Sequence, residues 1–186
     1  MTKEKTALIK EMQDELFHLN GKSWFRIISG SMQPLIDIND RVLVRKVAQS
    51  EVKLRDIILF KSDDVFVTHR VVGKFYNNGQ LCFIQKGDRG GLALSVTAQN
   101  VLGKVIAVEK NGQFLELDRG WGKLINIFMG IRNFVSYKPG IRIDAVKKKL
   151  KDKPGYNCLR PFYRILKVPF VLLDRGIVRL FCKGLR

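Results

Sequence analysis

At 186 residues and 46% hydrophobic, the chain can bury a core and is not disordered by composition. Its formal net charge of +17 is uneven: residues 121–186 hold 16 Lys/Arg against 3 Asp/Glu, and residues 1–120 hold 18 against 14. Cys82, Cys158 and Cys182 form no CxxC pair and have no clustered histidines, which argues against a zinc site or a disulfide framework.

In chain order, Leu8/Ile9, Met12, Leu16 and Leu19 recur at helical spacing, and Asn20-Gly21 supplies a stop. The N-terminus has no apolar run of signal-peptide length, and no window of 18 residues is free of charge. The expectation is a cytoplasmic chain without a signal peptide or a transmembrane helix. Residues 1–21 thus read as one amphipathic helix, too short to be a helix-turn-helix DNA reader.

Residues 22–118 read as β. Runs rich in Val, Ile and Phe occur at 24–28, 41–47, 57–61, 65–72, 80–85, 101–110 and 113–117, with polar turns between them. Asn77-Asn78-Gly79 and Asn111-Gly112 are hairpin signals. The expectation is a mainly β fold with flanking α: seven short strands in a compact, coiled antiparallel domain. Residues 119–186 read as a basic helical extension. A helix over 121–137 is closed by Pro139-Gly140, and a basic linker covers 147–153. Residues 160–183 then set Phe162, Leu166, Phe170, Leu173, Ile177 and Leu180 against Arg160, Arg164, Lys167 and Arg175, with Arg179 and Lys183 on the flank.

Three stretches carry candidate chemistry. Ile27-Ile28-Ser29-Gly30-Ser31-Met32-Gln33-Pro34-Leu35 is a strand that stops at a tight turn, where a serine hydroxyl and its amide can be held at a surface. His69 lies mid-strand in Thr68-His69-Arg70-Val71-Val72. Asp88 lies in the Gly-rich turn Lys86-Gly87-Asp88-Arg89-Gly90-Gly91. In isolation each reads as ordinary turn or strand chemistry. Together they supply a nucleophile, a general base and an acid that could orient the base.

In order and spacing these stretches, with Asp40-Arg41-Val42-Leu43-Val44 and Arg55-Asp56-Ile57-Ile58-Leu59-Phe60, resemble the signal-peptidase superfamily over residues 22–110. A histidine before Arg-Val, in place of the bacterial lysine, is similar to the archaeal and endoplasmic-reticulum branch. The resemblance implies a serine endopeptidase with Ser31 as nucleophile, His69 as base and Asp88 supporting His69. It implies an oxyanion hole from the Ser29 hydroxyl and the Ser31 amide, and a substrate groove shaped by Ile28, Met32, Pro34 and Leu35. No metal or organic cofactor is implied. The substrate would be a peptide or protein precursor, bound as an extended strand with small residues before the cut. The sequence departs from the family at Asn39-Asp40 and Arg55-Asp56, where relatives carry Gly-Asp. A self-cleaving regulator, or an inactive peptide-binding module on the same fold, is the alternative.

The basic extension points to an anionic membrane surface, with Arg160, Arg164, Lys167, Arg175, Arg179 and Lys183 as the contacting cations. Nucleic acid is disfavoured, because the aromatics follow the apolar arc and are not interleaved with the basic residues.

Overall fold

The structure, a computed structural model, describes residue 17, residues 20–63 and 65–150, and residue 176. Most of the expected helix over 1–21, including His18, and the cationic set between Arg160 and Lys183 lie outside the described residues.

Over the described residues the chain is mainly antiparallel β with one long helix. Among the described residues eight strands are formed: β1 Lys22–Arg26, β2 Arg41–Arg45, β3 Ile57–Ser62, β4 Val65–Asn77, β5 Gln80–Lys86, β6 Leu94–Thr97, β7 Val101–Lys110 and β8 Gln113–Glu116. They make one sheet in the order β1-β2-β7-β3-β4-β5-β6, with β8 paired to β7, and the sheet curls into a half-barrel. Asn78 and Gly79, like Asn111 and Gly112, take positive φ at successive positions. These are the two-residue turns whose twist matches the strands they join, β4 to β5 and β7 to β8.

β3 is apolar on both faces, Ile57-Ile58-Leu59-Phe60, because it is central and covered on both sides. Ile57 and Leu59 join a core with Met32, Leu35, Ile36, Val42, Val44, Val105 and Val108. Ile58 and Phe60 join a second core with Val71, Phe83 and Val96. The two faces of β3 therefore assign its cross-strand partners: Ile58 faces His69 and Ile57 faces Arg70.

Two turns of the sheet are built alike. At the first, the Ile27 amide donates to the Asp40 carbonyl, and the Asn39 amide donates to the Ile27 carbonyl, both at 2.8 Å. At the second, Val71 and Arg55-Asp56 repeat both bonds at the same length. Each aspartate accepts from the amide three residues earlier, Asp37 at 2.7 Å and Lys53 at 2.9 Å. Each also pairs with a lysine of β7 at 2.8 Å, Asp40 with Lys110 and Asp56 with Lys104. Asn39 and Arg55 both sit at φ 75, so the departures from Gly-Asp keep the left-handed conformation. Between these lysines β7 carries a bulge: Val105 and Ala107 face successive residues of β2, and Ile106 is the extra one.

Beyond β8, helix α1 spans Gly120–Leu150. It buries Gly122, Ile125, Met129, Gly130 and Asn133, which recur at helical spacing, against the first core. A Cβ on Gly122 would lie 2.1 Å from the Glu116 carbonyl oxygen, so only glycine lets the helix start this close to β8.

Three expectations are corrected. The short Leu94-Ser95-Val96-Thr97 is an additional strand, and β4 runs to Asn77 rather than to Val72. Helix α1 does not end at Pro139-Gly140 but continues to Leu150, over the described part of the expected basic linker. Proline inside a helix costs about 3 kcal/mol, but it removes only one N–H donor. The Ala-Val-Lys-Lys-Lys-Leu run that follows is rich in helix formers.

Candidate active site

The Ser31 turn lies beyond the end of β1 at Arg26, after the non-strand Ile27-Ile28. Ser31–Ile36 coils back, with the Gln33 amide donating to Gly30 O at 3.3 Å and the Ile36 amide to Met32 O at 3.2 Å. Met32, Leu35 and Ile36 drop into the first core. This corrects the expectation for the groove: Met32 and Leu35 are buried and anchor the turn, because the coil turns their side chains inward. Ile28 is 85% exposed beside the turn, and Pro34 is half-buried. A polar chain secures the outer side: Arg89 Nη1 donates to Gln33 Oε1 at 3.1 Å, and Gln33 Nε2 donates to Asp37 Oδ1 at 2.9 Å.

Gly87 is where the three candidate stretches meet. A Cβ there would lie 2.6 Å from the Ser31 carbonyl oxygen and 3.3 Å from His69 Nε2. The Arg89 amide, two residues on, donates to that same carbonyl at 2.9 Å. The β5–β6 turn thus clamps the serine backbone, and it does so next to the imidazole. Ser29 Oγ lies 3.4 Å from Ser31 Oγ, so a second hydroxyl accompanies the candidate nucleophile.

His69 is held from its other nitrogen. Nδ1 hydrogen-bonds Gln85 Oε1, and Gln85 is buried. With Gln85 Oε1 as the acceptor, Nδ1 carries the proton and Nε2, on the Gly87 side, presents its lone pair. Burial pushes the His69 pKa below its ordinary 6.5, partly offset by the Gln85 bond and by the charge of Asp88. The neutral imidazole required of a base therefore prevails at neutral pH.

Asp88 reaches His69 through its field, while its carboxylate bonds are made elsewhere. Arg70 Nε and Nη2 grip its two oxygens at 2.7 Å each, and both side chains are 0% exposed. Asn133 Nδ2 of α1 adds a bond at 2.6 Å, and Arg132 donates to the Asp88 carbonyl. Arg70 Nη1 also donates to Asn126 Oδ1 at 2.5 Å and to the Arg55 carbonyl at 2.8 Å. Burial lowers the Arg132 pKa, with Asp88 opposing the shift and Arg70 adding to it. The pair is a bidentate, fully desolvated fork, and such a fork is stable only with its remaining donors and acceptors satisfied.

Sequence reasoning assigned no role to Gln85, Arg70, Asn126 or Asn133. For Arg70 a signal existed: it alternates with Thr68 and Val72 on an inward face, and a charge there requires a buried counter-charge. Asn126 and Asn133 stand seven residues apart, two turns along one helix face. Gln85 had no comparable signal.

Among the described residues no group of His, Cys, Asp and Glu could hold a metal ion, and Cys82 is a buried thiol. Among the described residues no helix is long and apolar enough to cross a membrane. No protein-family model matches the chain, and no curated protein matches it.

Proposed function

We propose that the protein is a serine endopeptidase with a signal-peptidase-like fold, acting through Ser31 and His69. The observation that carries this reading is the convergence of the Ser31 turn and the Nε2 of His69 on Gly87, with the tautomer of His69 set by Gln85. Ser31 Oγ adds to the scissile carbonyl carbon while its proton passes to His69 Nε2. The tetrahedral oxyanion is held by the Ser31 amide and the Ser29 hydroxyl. The C–N bond then breaks, with Nε2 returning its proton to the leaving amine, and an acyl-enzyme remains. A water, deprotonated by the same nitrogen, adds to the acyl carbon; the acyl C–Oγ bond then breaks, Nε2 returns the proton to Ser31 Oγ, and the carboxylic acid product leaves. The substrate is a peptide or protein precursor with an extended, small-residue site.

Gln85 replaces the carboxylate that commonly backs a catalytic histidine. It fixes ring orientation and tautomer but supplies no full negative charge to the imidazolium. The charge nearest at hand is that of Asp88, already partnered by Arg70.

The test is covalent labelling by an acylating serine-peptidase probe on wild type, Ser31→Ala and His69→Ala. The expected outcome is labelling that requires both side chains. Labelling that survives Ser31→Ala would dismiss the reading.

A further inference from the structure

Helix α1 has two apolar faces, and the β-sheet covers one of them. Opposite Ile125, Met129 and Asn133 lie Trp121, Leu124, Phe128, Ile131, Phe134 and Val135. Trp121 and Val135 are 64% exposed, Leu124 54% and Ile131 47%. At about 100° per residue these six side chains span an arc of roughly 140°. That is broader than the seam two helices bury between them in a coiled coil. Only Lys123 and Arg132 border it over this length, and α1 goes on through Lys138, Arg142, Lys147, Lys148 and Lys149 against the single acid Asp144.

We propose that this outer face of α1 lies in the interfacial layer of an anionic lipid bilayer. A broad apolar face containing an indole and two phenyl rings, on a helix with a surplus of cations, matches the chemistry of that layer. Each cation near an anionic leaflet adds to the attraction, and long basic side chains extend toward headgroups while their stems stay in apolar contact. The charge surplus selects an anionic bilayer over a second copy of this chain, which would bring an equal surplus against it. This inference is independent of the peptidase reading. It does fix where the candidate site would stand: the inner face of α1 bonds Asp88 through Asn133, so one helix diameter, about 10–12 Å, separates the lipid-facing side chains from the turn at Gly87.

The experiment uses the full chain with Trp24→Phe, which leaves Trp121 as the sole indole. The probes are phosphatidylcholine vesicles with and without phosphatidylglycerol, carrying brominated acyl chains. On anionic vesicles the Trp121 emission should move to the blue and be quenched, with partitioning roughly tenfold weaker on neutral ones. Phe128→Glu should weaken partitioning roughly tenfold or more, with an unchanged circular dichroism spectrum. Leu124→Glu, at a more exposed position, serves as the second variant should Phe128→Glu fail to fold. Sedimentation with vesicles while Trp121 stays unquenched would overturn the proposal and move the contact to another segment. A dimer in light scattering that Phe128→Glu dissociates, without vesicle binding, would overturn it in favour of a second copy. Absence of any vesicle binding would overturn it outright.

Discussion

The Nδ1–H of His69 donates to the amide oxygen of Gln85, a neutral and buried partner on the neighbouring strand. Because burial holds the folded pKa below 6.5, the imidazole stays neutral over a window in which a free histidine has begun to charge. Probe labelling should therefore fall along an acid limb with its midpoint below 6.5. The sign for stability follows from proton binding. Below 6.5 the unfolded chain takes up more protons at this site than the folded one, so stability declines as pH falls from 6.5 toward the folded pKa. In Gln85→Glu a carboxylate faces Nδ1, and the limb should move upward by on the order of one pH unit. A limb that does not move in this variant would rule out a direct contact between residue 85 and Nδ1.

Gly87→Ala is the most economical disruption of the site. Its methyl would sit 2.6 Å from the Ser31 carbonyl oxygen, a backbone atom already bonded to the Arg89 amide. The serine turn must shift away from the imidazole, and a displacement near 1 Å costs about 100-fold in rate. Labelling kinetics should show that loss while urea unfolding shows a native-like transition. Unaltered labelling would mean that the turn tolerates the displacement.

The Arg70–Asp88 fork should behave as a buried pair. Removing either partner, by Asp88→Asn or Arg70→Met, leaves the other buried and uncompensated, a loss of about 3–5 kcal/mol. Replacing both, Arg70→Met with Asp88→Leu, should recover much of that. Asn133→Ala should cost about 1–3 kcal/mol through the lost bond to Asp88. Chemical denaturation of the four variants checks the ordering. A double variant no more stable than either single variant would show that the two buried charges do not compensate one another.

Two ion pairs invite comparison. Asp56 is 8% exposed and holds both the Lys53 amide and the Lys104 ammonium, whereas Glu109 meets Arg41 at the surface. Asp56→Ala should cost about 1–3 kcal/mol, and Glu109→Ala under about 1 kcal/mol. Equal losses in thermal unfolding would show that the capped amide contributes nothing.

The sequence made the β-domain legible because its strands alternate and its turns carry Asn-Gly. β6 was not legible: Leu94 and Ser95 are exposed, so only Val96 marks an inward face in that short strand. The end of α1 is not legible at Pro139-Gly140, because the breaker chemistry there is local and the helix-forming run beyond it carries the helix on. Ser31 and His69 could be read as candidates from residue type and spacing. Asn133 could not, since it meets Asp88 only once α1 packs against the sheet, whereas Arg70 left the signal of a charge on an inward face. Met32 and Leu35 misled for a related reason: side chains next to a surface serine turn away from it when the turn coils inward.

The paired aspartate turns have a consequence for β7. Lys104 lies on one side of the extra residue Ile106 and Lys110 on the other, and each is tied to an aspartate of a different turn. Were the bulge to migrate past either lysine, that lysine would move by one residue, about 3.3 Å, and its side chain would swap faces. One ion pair would break while the other held. The two ties therefore fix the length of strand between them, so that the bulge cannot pass either lysine without a cost felt at that end.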